Sequence, residues 1–187
     1  MIIGLTGTIG AGKSIIAEFL KKKGFYYFSL SNELREIARN ENIELTRENL
    51  QNLGNKTRHE KSTGYLAELI AGKINSNSHA NAVIDGIRNP AEVEALRKLK
   101  DFKLVSIDAN EEIRFKRLQE RNREKEAISR DDFLKVNARD LGEDDLKGQQ
   151  TRRCMELADV TFVNEQPLEE IQKKLEELYN KLNSSNQ

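Results

Sequence analysis

With 187 residues, 37% of them hydrophobic and 33% charged, the chain has enough apolar material for one domain with a sizeable core and a heavily charged surface. Its formal net charge is zero, which removes any overall pull toward nucleic acid or an acidic membrane. A single cysteine, Cys154, excludes an intrachain disulfide and a cysteine zinc site, and no apolar run approaches the roughly 20 residues of a membrane span.

Met1-Ile2-Ile3-Gly4-Leu5 is a short continuous apolar run and reads as a buried strand. It leaves no room for a cleavable leader, so the expected compartment is the cytoplasm. Gly7-Thr8-Ile9-Gly10-Ala11-Gly12-Lys13-Ser14 follows and fits G-x-x-x-x-G-K-[ST], the phosphate-binding P-loop. Ile15, Ile16, Phe19 and Leu20 then recur at helical spacing as far as Lys23. Strand, glycine loop and helix together give the motif its context: backbone N–H groups and a helix N-terminus converge on an anion. Lys13 is expected to reach the β/γ-phosphates of ATP and Ser14 to ligate Mg²⁺.

Gly24 stops the first helix, and Phe25–Phe28 reads as the second strand. Ser29 to Asn32 offers N-caps for a helix carrying Leu34, Ile37 and Ala38. A polar helical stretch over about 46–74 is expected to break near Gly54 and at Ser62-Thr63-Gly64, with Leu50, Leu53, Leu66, Leu69 and Ile70 on its buried side. Its His59, and His79 in the loop after it, read as surface residues. Ala82–Gly86 is the third strand, and Pro90 opens a helix. Phe102–Asp108 is the fourth strand, followed by a helix from about Glu111 and a charged segment over 121–130. Asp131 is the expected cap of a helix through Leu141, Gly142–Asp145 a turn, and 146–157 helical again. Val160–Val163 is the fifth strand, before an amphipathic helix with Leu168, Ile171, Leu175, Leu178 and Leu182 and a tail from Ser184. Strands alternating with helices, with no hairpin turns, predict a parallel sheet covered on both faces, with ligands at the strands' carboxyl ends.

Those ends carry the remaining candidates. The third strand finishes in Asp85-Gly86-Ile87-Arg88, where an acid suits Mg²⁺ and a planar guanidinium suits an acceptor phosphate. After the second strand, Asn32 and Arg35 open a helix toward the same cleft. Arg114, Arg117 and Arg121 share one helix face, and Arg123 and Arg130 continue into the charged segment. Arg117 and Arg121 are the candidates for stabilising charge in a phosphoryl transfer. Interleaved acids and the lack of aromatic partners argue against nucleic acid there. Past the fifth strand, Asn164 and Gln166 belong to a loop with two readings, a contact to a purine base or a plain strand-to-helix connection.

In this order and spacing, Gly7–Ser14, Ser29–Arg35, Asp85–Arg88, the arginine-bearing helix and Ala158–Asn164 resemble the P-loop nucleotide kinases, meaning the nucleoside monophosphate kinase and dephospho-CoA kinase group. The resemblance implies a three-layer α/β/α fold in a single domain over 1–183, with a five-stranded parallel sheet of order 2-3-1-4-5. It also implies a helical acceptor-binding region over about 32–76 and a lid over about 118–142. ATP, Mg²⁺ and a small nucleotide acceptor come with it, and monomer or homodimer stays open. Such kinases usually carry an aspartate after the second strand, where this chain has Asn32; an amide cannot take a proton from a hydroxyl. That favours an already ionised acceptor phosphate, a (deoxy)nucleoside monophosphate, over dephospho-CoA. A regulatory NTPase with no small acceptor is the third reading.

Overall fold

β1 (Ile2–Gly7) is buried along its whole length, as a strand with neighbours on both sides and helices on both faces must be. The computed structural model describes residues 1–77, 79–121, 129–142 and 148–184, with the backbone alone of residues 47, 121 and 168. β2 (Tyr26–Ser29), β3 (Ala82–Asp85), β4 (Phe102–Asp108) and β5 (Val160–Val163) complete a five-stranded parallel sheet in the order β2-β3-β1-β4-β5, as expected.

Alternation along β1 sends its side chains into two cores. Ile3 and Leu5 meet Phe19 and Leu20 of α1 (Lys13–Lys22) and Leu175 and Leu182 of α9 (Leu168–Ser184). On the other face, Ile2 and Ile84 lie under α4 (Tyr65–Ser76), α5 (Pro90–Leu96) and α8 (Thr151–Glu156), whose Cys154 is fully buried. The remaining helices, α2 (Leu30–Asn40), α3 (Arg47–Glu60), α6 (Glu111–Arg121) and α7 (Arg130–Leu141), cluster around the carboxyl edge of the sheet and form the walls of the site. In register, Leu5, Asp85 and Ser29 lie side by side, so β1, β3 and β2 deliver their following loops to one line.

Several local expectations are corrected. β2 begins at Tyr26, because Phe25 turns inward and packs edge-on against Tyr179, ring centroids 6.3 Å apart. α3 runs unbroken through Gly54. A Cβ there would sit 3.3 Å from Leu34, so the glycine marks close helix packing, worth more than its propensity cost of about 1 kcal/mol. Ser129, not Asp131, caps α7, its hydroxyl accepting from the Asp132 N–H at 3.1 Å. The helix expected over 146–157 is confined to Thr151–Glu156 among the described residues. Ahead of it the backbone is held by other partners: the Gln150 N–H donates to the Arg88 carbonyl at 2.6 Å, and Asn89 donates to that of Gly148 at 2.8 Å. Residues 143–147, most of the expected turn, lie outside the described residues. α9 takes in Ser184, leaving 185–187 of the expected tail outside them too. His79 is not a bare surface residue, since its ring lies 3.8 Å from that of Tyr26.

Candidate active site

The loop from β1 to α1 is shaped by residues that no side chain could replace. Gly7 has φ +138°, and a Cβ on it would fall 1.9 Å from the Ile107 carbonyl oxygen. Gly12 has φ +94°, and a Cβ there would meet the Asn164 amide at 2.3 Å. The loop therefore lies directly against β4 on one side and the β5–α9 connection on the other. α1 has no acid in its first turn and no side-chain cap, so its N-terminal dipole and donors remain available to an anion. The Lys13 ammonium folds back across the loop and donates to the carbonyls of Gly7 at 2.7 Å and Thr8 at 3.0 Å. Burial, then the nearby Arg88 guanidinium, lowers its pKa from 10.5 to about 8, against the pull of Asp85 and Asp140.

α6 straps the loop from outside. Arg114, buried, donates to the carbonyls of Ala109 at 2.9 Å and Ile9 at 3.1 Å and to the Asn137 side chain at 2.7 Å. Arg117 donates to the carbonyls of Asn164 at 3.0 Å and Ala11 at 3.4 Å. Asn164, also buried, donates to Ala11 at 2.7 Å. The two residues thus hold the loop together, a role the sequence reading did not give Asn164. Between Gly10, Gly12, Ser14, Ile15, Arg117 and Glu120 lies a cleft of about 340 Å³. Its flat guanidinium and its isoleucine suit a planar ring next to the phosphate loop. Gln166 does not line that cleft; its side-chain oxygen is buried without a partner among the described residues. The Arg121 side chain and all of Arg123 lie outside the described residues, and Arg130 pairs with Glu111 at 2.7 Å and Glu112 at 2.6 Å.

Asp85, at the end of β3, lies within electrostatic reach of Lys13. One carboxylate oxygen accepts from the Tyr27 hydroxyl at 3.3 Å; the other is buried and, among the described residues, has no partner. Burial and then the Asp85 charge raise the Tyr27 pKa. Next along the chain, Arg88 donates to the Ser31 hydroxyl at 3.3 Å, while its N–H donates to Glu92 at 2.7 Å. Glu92 is fully buried, closes the capping box of α5 with Asn89, and pairs with buried Arg58 at 2.9 Å. That ion pair ties α3 to the loop bearing Arg88. A pocket of about 360 Å³ opens here, lined by Arg35 and Arg88, by Ser31, Gln51, Asp140 and Gln149, and by Leu34, Leu45 and Leu50. Asn32 does not line it; exposed, it accepts from Arg35 at 3.1 Å and steadies that guanidinium.

The structure thus brings Asp85 and Arg88 into electrostatic reach of Lys13, sets Arg35 and Arg88 in one pocket and Arg117 in another at the phosphate loop, and uses Asn164 to hold that loop and Asn32 to hold Arg35. Sequence reasoning missed Asp140, Gln149 and Tyr27. None sits in a motif, and each reaches the site only through the fold.

Residues 3–140 match the AAA domain family. A UPF0200 protein of Hyperthermus butylicus is 32% identical over 97% of this chain and 95% of its own. Among solved structures, shikimate kinase from Aquifex aeolicus superposes with a TM-score of 0.51 at 20% identity, covering 100% of this chain and 98% of that one. A gluconokinase from Sinorhizobium meliloti superposes with a TM-score of 0.53 at 17% identity, covering 99% and 97%. These structures share the P-loop kinase-like fold.

Proposed function

The chain belongs to the AAA domain family and to the UPF0200 proteins, and on that premise we propose that it is an ATP- and Mg²⁺-dependent phosphotransferase acting on a small anionic acceptor. The observation that carries this reading is a second polar pocket near the one at the phosphate loop. One pocket lies against the loop and Arg117; the other carries Arg35 and Arg88, and Arg88 is close enough to Lys13 of the loop to lower its pKa. A hydrolytic switch has no use for the second pocket. The two neighbours named above are, by name, kinases of small molecules.

In this reading the loop N–H groups and the end of α1 bind the β- and γ-phosphates, and Lys13 exchanges the Gly7 and Thr8 carbonyls for phosphate oxygens. Arg117 lies along the base. The residues fit Mg²⁺: Ser14 sits in the first turn of α1, and Asp85 offers a buried oxygen with no other partner among the described residues. When bound, the ion neutralises charge on the β- and γ-oxygens. Arg35 and Arg88 hold the acceptor's anionic group in line, which accounts for most of the catalysis such a transfer needs. The family resemblance makes that acceptor a nucleotide, a nucleoside monophosphate or dephospho-CoA.

The test is ADP release from Mg·ATP with a panel of ribo- and deoxyribonucleoside monophosphates and dephospho-CoA, with Lys13→Ala as control. Acceptor-dependent release, lost in the control, is expected. Hydrolysis indifferent to every acceptor would overturn the reading in favour of a regulatory NTPase.

A further inference from the structure

We infer that Asp140 is the general base of the reaction, taking the proton from a hydroxyl of the acceptor, so that the product is a phosphate monoester and not a diphosphate. The inference rests on the phosphotransferase reading above and names the attacking group.

Asp140 sits in the last turn of α7, is 8% exposed, and lines the acceptor pocket with Arg35 and Arg88. Among the described residues it makes no hydrogen bond or ion pair, and it lies within electrostatic reach of the Lys13 ammonium from the wall of the acceptor pocket. Its helix is pinned from three directions. Phe133, fully buried, packs on Phe115 at 5.3 Å; Asn137 accepts from Arg114 at 2.7 Å; Arg139 donates to Asn52 of α3 at 3.0 Å. A carboxylate held this way without a partner has one basic site to offer. It also penalises a second anion beside it, as an attacking phosphate would be, and favours a neutral hydroxyl. The preference for a phosphate acceptor rested on Asn32 standing where a base is expected. Asn32 is turned to Arg35, and α7 supplies the carboxylate instead.

The step balances as follows. The hydroxyl oxygen bonds to the γ-phosphorus, the bond from that phosphorus to the β,γ-bridging oxygen breaks, ADP leaves, and the hydroxyl proton passes to Asp140 and on to solvent. The charged groups that share its pocket wall are Arg35 of α2 and Arg88 after β3, and it acts on the Lys13 ammonium of α1 together with Asp85 and Arg114. The acceptor class is an anionic alcohol, its charge on Arg35 and Arg88 and its hydroxyl toward Lys13.

The experiment runs the acceptor panel on the full chain and identifies the product by ³¹P NMR. A monoester is expected. Asp140→Asn is expected to lower kcat about 10²–10⁴-fold with the KM for ATP nearly unchanged, with partial rescue in Asp140→Glu. AMP, as an anionic probe of the pocket, is expected to bind Asp140→Asn at least about five-fold more tightly, since like charges at short range repel. A diphosphate product, or Asp140→Asn turning over at the wild-type rate, would overturn the assignment and leave the phosphotransferase reading standing. AMP affinity unchanged in Asp140→Asn would overturn it as well. No stimulation by any acceptor would overturn both.

Discussion

The two compartments are built in opposite ways. On the donor side, eight consecutive residues make the loop, and buried side chains from α6 and the β5–α9 connection bond to its backbone carbonyls at Ile9 and Ala11. On the acceptor side, the walls come from α2, α3 and the loop between them, the loop after β3, α7 and the segment before α8. Apart from the α2–α3 packing at Gly54, they are tied to one another and to their neighbours by side-chain contacts such as Arg58–Glu92, Arg139–Asn52 and Lys73–Glu33. A loop held through its own carbonyls keeps its shape whatever the neighbouring side chains become. A pocket made by several separate segments is only as fixed as the contacts between them, and its chemistry can be changed without touching the loop.

The largest effect is expected at the acceptor side's buried tie. Arg58→Ala leaves Glu92 charged and unpaired in the core, and such losses cost about 3–5 kcal/mol. The urea midpoint should fall accordingly, and the KM for the acceptor should rise more than that for ATP, because α3 carries Leu50 and Gln51. An equal rise in both would mean that the compartments are mechanically one.

Lys13→Ala, next in size, should cost on the order of 10²–10³ in turnover, by analogy with the loss of one transition-state donor. Its pH signature separates loop chemistry from folding. The folded-state pKa, about 8, lies below the ordinary 10.5, so the folded chain binds fewer protons than the unfolded one between those values. The cost of burying the ammonium is fully present below about 8 and is relieved as pH rises toward 10.5, so the free protein gains stability there. ATP favours the charged form, so the rise in melting temperature it produces should shrink over the same window. In Lys13→Ala that dependence should vanish.

The contrast between compartments also decides what could be read from the sequence. The donor side was legible because a phosphate loop must be contiguous, with its glycines at fixed places and its helix immediately behind. The sheet was legible because buried parallel strands read as apolar runs, and the order of β1 to β5 followed from the kinase resemblance. Asn164 was found, but as a base contact; its bond to Ala11 depends on β5 ending beside β1's loop, which spacing cannot reveal. Gly54 misled because a glycine that breaks a helix and one that admits Leu34 look alike in one dimension. Asp140 and Gln149 carried no signal, being two among many polar residues until α7 and the following segment close over Arg88.

Asn164→Ala tests the donor side's strap. It removes the donor to Ala11 and leaves that carbonyl with only the longer bond from Arg117, 3.4 Å, for a cost of about 1–3 kcal/mol. ATP affinity, measured by calorimetry, should fall about thirty-fold, which is that cost at its midpoint, while acceptor affinity stays unchanged.

The smallest effect is expected beside Asp85. Tyr27 comes from edge strand β2, is 39% exposed, and meets Asp85 through one long bond of 3.3 Å. Removing it in Tyr27→Phe costs at most about 1 kcal/mol, because the Asp85 oxygen it leaves has solvent within reach along an exposed edge. Turnover should fall no more than about five-fold, and the Mg²⁺ requirement should rise modestly as the carboxylate loses one of its restraints. The rate profile below pH 10 should keep its shape, since burial and Asp85 already push the phenol's ionisation above its ordinary value of 10.0. A drop beyond ten-fold would mean that Asp85 is oriented from β2 and not by its own strand. The acceptor side would then begin one strand further out, at an edge that also carries the Tyr26–His79 stack.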